Sequence, residues 1–204
     1  MAILSIIFSL RPFCCAVRGI GWMTLVLLAG ASWLPRCAAA DRLGGASEYS
    51  LKAMFLLNFT KFVEWPDQAF SGNAAPFVVG VIGEDPFGSV LDEAFAHQTV
   101  GGRSVVIRRY TPGTLGIDCQ VLFVARSIKD QQPALLQDLR GRPVLTVGEA
   151  DQFLESGGMI NFVVIKERVR FEINAMAADR TGLNLGAKLL GVAVRVISSK
   201  RPAP

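Results

Sequence analysis

Strand-length runs that are apolar from end to end alternate here with segments of helical spacing, and this alternation narrows the fold more than any other feature. Residues 76–82 (PFVVGVI), 121–125 and 143–147 (PVLTV) are such runs, and 103–110 (RSVVIRRY) follows a Gly101-Gly102 turn. Between them, 90–97 and 133–139 carry helical spacing, with Ser127 read as the cap of the second helix and Gly141 as its stop. Strands apolar on both sides belong in a parallel sheet covered on both faces. From Gly157 onward the pattern changes. Residues 160–165 and 169–174 form a hairpin around Lys166-Glu167-Arg168, with Val169, Phe171 and Ile173 alternating against Arg170, Glu172 and Asn174. A short helix at 175–179 and a last helix at 185–196 complete the chain. The expected fold is therefore an α/β three-layer sandwich: a largely parallel sheet, a C-terminal antiparallel hairpin, and helices on both faces.

The stretch before the first strand, 49–66 (YSLKAMFLLNFTKFVEWP), reads as one helix capped by Ser47 and stopped by Pro66. Leu51, Phe55, Asn58 and Phe62 fall on one face, widened by Met54, Leu57 and Phe59, while Lys52, Thr60, Lys61 and Glu64 lie elsewhere. So apolar a face must be buried against a sheet or another helix. Packing accounts for most of it. Asn58 and the end from Lys61 to Trp65 are read in addition as a recognition surface.

The first forty residues hold Arg11, Arg18 and Arg36 but no Asp or Glu, and Ala38-Ala39-Ala40 follows an apolar core. That is the order of a cleaved export signal, with the cut between Ala40 and Asp41. The expected organisation is a signal peptide at 1–40, one domain at 41–197 and a loose tail at 198–204. Loss of the signal's three arginines reduces the basic residues from 21 to 18, nearly in balance with the 17 acids. The rest are scattered, so no nucleic-acid footprint remains. Cys14, Cys15 and Cys37 leave with the signal, so Cys119 has no internal partner and is either a buried thiol or an intermolecular one; its place beside the run 121–125 favours the buried thiol.

The loop 83–88 joins a strand to a helix, but its two acids and a Pro suit a turn better than a phosphate cradle. With His97 as the single histidine, neither a zinc site nor a nucleophile–base pair is supported. No metal, cofactor or catalytic residue is assigned. Ligands of parallel sheets lie beyond the strands' carboxyl ends, which here carry 83–87, Arg126-Ser127 and Gly148-Glu149.

Taken in order, several motifs resemble the YfiR-like family of exported bacterial proteins. They are Tyr49-Ser50-Leu51-Lys52-Ala53-Met54-Phe55, the stretch from Asn58 to Pro66, and the loop 83–88, then Gly102-Arg103 and Cys119-Gln120-Val121-Leu122-Phe123. Gly157-Gly158-Met159-Ile160-Asn161-Phe162, Phe171-Glu172-Ile173-Asn174 and Lys188-Leu189-Leu190 complete the set. The resemblance implies a periplasmic α/β protein without enzymatic activity. It implies repression of an inner-membrane diguanylate cyclase through its periplasmic domain, so that cyclic di-GMP and biofilm formation come under control. Homodimers, disulfide-based redox tuning and small-molecule binding are also associated with the family. This chain departs from the pattern in keeping only Cys119, and in having Gly186-Ala187 where two Ser are common.

Two functions follow as expectations. One is a repressor of a membrane diguanylate cyclase, and the other a periplasmic small-molecule-binding module serving another envelope protein. The residues put forward for ligand or partner binding are Asn58, Lys61, Trp65, Arg170, Glu172, Asn174 and Lys188.

Overall fold

The computed structural model describes residues 39–198, with side chains from Glu48 onward. The expected signal up to residue 38 and the tail from residue 199 lie outside the described residues. The described residues open with helix α1 (Ala39–Phe62), followed by the two-residue strand β1 (Val63–Glu64). Then come β2 (Phe77–Ile82), α2 (Ser89–Phe95), β3 (Thr99–Val100), β4 (Arg103–Tyr110), β5 (Val121–Val124), α3 (Gln132–Asp138) and β6 (Leu145–Gly148). The final part holds β7 (Ile160–Ile165), β8 (Arg168–Asn174), α4 (Ala175–Asp179), β9 (Asn184–Leu185), α5 (Ala187–Val192) and β10 (Arg195–Ile197).

Among the described residues, eight strands make one sheet in the order β10-β8-β7-β6-β5-β2-β4-β3. The central pairs β4–β2–β5–β6–β7 are parallel, while β7–β8 is an antiparallel hairpin. Side chains of successive strand residues point to opposite faces, and the core divides accordingly. Val79, Val81, Phe123, Val147, Ile160 and Phe171 pack with α1 and α2 on one face. Val78, Ile82, Leu122 and Val124 pack with Leu136 and Leu139 from α3 and its C-cap on the other. This is the expected three-layer α/β arrangement.

Three local expectations are corrected. The first concerns α1, which runs through Ser47, so Ser47 is not its N-cap, and which ends at Phe62 rather than at Pro66. Its buried side is turned about one residue from the expected stripe. Lys52, Ala53, Leu56, Leu57, Phe59 and Thr60 are buried, whereas Leu51 and Met54 are 45% and 49% exposed. Both polar residues on the inner side are satisfied there: Lys52 by Glu48 and Glu149, and Thr60 by donating its hydroxyl to the Leu57 carbonyl.

The second is the expected last helix, which stops at Val192; the chain then enters β10, lying parallel to β8 with Arg195 opposite Glu172. The spacing of Leu189, Leu190, Ala193 and Val196 suits a helix, but an open sheet edge beside β8 offers the backbone a ladder instead. The third is Ser127, which sits in a 3-10 turn (Arg126–Ile128) ahead of α3 and accepts a hydrogen bond from the Glu84 N–H rather than capping the helix.

A separate two-stranded sheet pairs β1 with β9, Val63 opposite Leu185. It draws the start of α5 against the end of α1. The Gly186 N–H donates to the Phe62 carbonyl at 2.8 Å, and a Cβ on Gly186 would lie 2.9 Å from that oxygen. Close approach of the two segments therefore requires a glycine here. Among the described residues no helix is long and apolar enough to cross a membrane.

Candidate functional site

The turn of α1 away from its expected stripe leaves an apolar side facing outward, and this side meets α5. Between them lies an open groove of about 400 Å³, lined by Phe55, Asn58, Phe59 and Phe62 of α1, Phe171 of β8, and Lys188, Leu189 and Val192 of α5. Its floor is anchored. Phe59 is buried, with its ring stacked on Phe162 and edge-on to Phe171 at 5.0 Å, while half-buried Phe55 also meets Phe171 edge-on. Its rim is open: Phe62 and Val192 are exposed, as are Leu51 and Met54 along the same side of α1. A contiguous apolar surface held on a rigid floor suits contact with another macromolecule.

The structure brings Asn58 and Lys188 together in this groove. Lys61 and Trp65 instead border a second open cavity of about 590 Å³, with Phe70, Phe77 and Arg103. Trp65 is half-buried there. Its indole N–H donates to the Gln120 carbonyl at 3.0 Å, and its ring stands edge-on to Phe77 at 4.9 Å. Arg103 lies over the Phe70 ring and donates to the carbonyls of Gly72, Asn73 and Ala75, closing the loop above this cavity.

On β8 the three polar residues have different surroundings. Arg170 is exposed. Glu172 accepts a hydrogen bond from Arg195 of the neighbouring strand β10 at 2.9 Å. Asn174 is the N-cap of α4: its Oδ1 accepts from the Ala177 N–H, and its Nδ2 donates to the Leu154 carbonyl. Cys119 is buried, and burial pushes its thiol up to about 12.

The strand ends named from the sequence, Arg126 and Glu149, belong to a polar cluster at the carboxyl ends of β5 and β6 that also takes in residues of α1. Lys52 is held between Glu48 and Glu149, the Tyr49 hydroxyl reaches both Glu149 oxygens, and Arg126 donates to the Glu149 carbonyl. Burial, followed by the Glu149 charge, holds the Tyr49 hydroxyl above its ordinary pKa. The Gly148-Glu149 strand end was the available signal, but nothing in the sequence links it to Lys52. Among the described residues, no group of His, Cys, Asp and Glu is placed to hold a metal ion.

No curated protein sequence matches the chain. Among solved structures, a conserved domain protein from Vibrio cholerae O1 biovar El Tor has a TM-score of 0.51 at 10% identity, over 72% of this chain and 60% of that one. The ABC domain in complex with L-Trp from Streptococcus pneumonia has a TM-score of 0.47 at 14% identity, over 71% and 60%. This chain thus spans about 60% of the length of those structures, and the likeness to the first is one of fold alone. A sequence profile of YfiR/HmsC-like proteins matches residues 49–194, which takes in the groove, the second cavity and all of the polar cluster but Glu48. The chain belongs to the YfiR/HmsC-like family.

Proposed function

We propose that this chain is a non-enzymatic periplasmic regulator that inhibits an inner-membrane diguanylate cyclase, and thereby controls cyclic di-GMP and biofilm formation. The observation that carries this reading is the family match over residues 49–194, since the family points to a periplasmic regulatory role. The site fits such work. An exposed apolar side of α1 and α5 is a means of binding another protein, and inhibition by binding needs no reacting group. Export with cleavage near Ala40, and a single working domain from Asp41 to about Ile197, belong to the same proposal. The test is affinity capture of the tagged chain from the periplasm and inner membrane, with mass spectrometry of what it holds. Recovery of a membrane diguanylate cyclase is expected; an eluate without one contradicts the proposal.

A second reading, a small-molecule-binding module, rests on the cavity of about 590 Å³ beside Lys61, Trp65 and Arg103. With the signal removed, Trp65 is the only tryptophan left in the chain. Its fluorescence therefore reports directly on that cavity. A saturable change with one compound of a metabolite panel supports this reading, and a flat response across the panel rejects it.

A further inference from the structure

Asn58 is exposed in the middle of the outward row of α1, and it makes no side-chain hydrogen bond among the described residues. The row is Leu51, Met54, Phe55, Asn58 and Phe62. At about 100° per residue these positions form one stripe roughly 100° wide, and the span from Leu51 to Phe62 rises about 16 Å. That is the dimension and spacing of a seam which receives a second helix. Lys188 lines it from α5, and exposed Lys61, next to Phe62 on α1, stands at its border with the second cavity. Neither lysine has a carboxylate partner among the described residues. No acidic residue lines the groove.

The geometry points to this seam as the docking site for an amphipathic helix of the regulated cyclase's periplasmic domain. The helix would carry carboxylates at its flank and one polar side chain facing Asn58. Charge decides between the two leading occupants. A second copy of this chain would bring the same lysines and the same apolar row, leaving both cations unmatched. An acidic-flanked helix answers both. The polar residue has a separate role. In an apolar helix–helix seam, a lone Asn contributes little stability but disfavours every register that leaves its amide against hydrocarbon. Asn58 is thus a register-setting and specificity residue, while Phe62, Met54 and Val192 supply the contact area.

This inference rests on the proposed regulatory function, and the experiment separates the two. A photo-crosslinking amino acid is placed at Met54, on the seam, and in a second strain at Lys129, which is exposed beside α3 on the opposite face. Both are expressed in the native host, and the crosslinked peptides are sequenced. The expected result is a crosslink from Met54 to a helical segment of a diguanylate cyclase's periplasmic domain, with none from Lys129. Asn58→Asp and Lys188→Glu should each reduce that crosslink at least tenfold with the melting temperature unchanged. Recovery of the cyclase from Lys129 but not Met54 overturns the seam and leaves the regulatory function standing. A Met54 crosslink to a second copy of the chain overturns the assigned occupant. A deletion strain with unchanged cyclic di-GMP, together with no cyclase from either position, removes the function and the seam with it.

Discussion

Lys52 Nζ lies 2.6 Å from Glu149 Oε2, tying α1 to the carboxyl end of β6 across 97 residues of chain. Both side chains are almost wholly removed from solvent. Removing one partner strands the other charge in a low-dielectric site, at a cost of about 3–5 kcal/mol. Lys52→Met should therefore lower the denaturant midpoint strongly. Replacing both, as Lys52→Met with Glu149→Leu, should recover much of the loss, because the stranded charge is gone. Equilibrium urea unfolding of the two variants checks this; equal losses in single and double variants would show that the pair is not coupled.

Phe153 gives a second prediction. Its buried ring occupies the space where a side chain on either Gly148 or Gly158 would project. Gly158→Ala forces the ring or the strand to move, and overpacking of this kind costs about 1–3 kcal/mol. Pairing it with Phe153→Leu should relieve part of the clash, and thermal unfolding would register the relief as a partly restored melting temperature.

The thiol of Cys119 should be inert in the native protein. It is 3% exposed, and burial moves its pKa up to about 12, so almost no thiolate exists at neutral pH. Iodoacetamide at pH 8 should label it only after denaturation. Fast labelling of the folded chain would reopen a redox role for this cysteine.

Asp92 is one surface source of acid sensitivity. The Arg109 guanidinium, hydrogen-bonded to Asp92, holds that carboxyl below its usual range. A carboxyl depressed in the folded state contributes stability above its unfolded pKa of about 3.9, and loses it as pH falls through the lower folded value. Both side chains are more than a third exposed, so solvent and salt keep the effect small, about 0.5 kcal/mol. Arg109→Ala should reduce stability at pH 7 slightly and flatten its decline below pH 4. A melting-temperature curve from pH 7 to pH 2 at low salt checks it.

The sheet was legible in the sequence because its strands report their own environment. Runs such as 121–124 are apolar throughout because both faces are covered, and 169–174 alternates because one face of β8 is less buried than the other. The orientation of α1 was not legible. A face containing Lys52 and Thr60 reads as solvated until the carboxylate that buries Lys52 is seen, and that carboxylate belongs to a distant strand end. The same limit hid β10, whose ladder exists only because β8 is there to receive it. It also separated the predicted site residues. Asn58 and Lys188 meet in the groove, Glu172 is paired with Arg195, and Asn174 caps α4. Each of those outcomes depends on a tertiary neighbour rather than on local spacing.

The central claim is that this chain restrains a membrane diguanylate cyclase by binding it, and cellular cyclic di-GMP is its most direct readout. The nucleotide should rise when the gene is deleted. It should return to the parental level with the wild-type gene, but not with a Phe62→Asp, Val192→Asp variant present in the periplasm at the same amount. An unchanged cyclic di-GMP level on deletion would contradict the account.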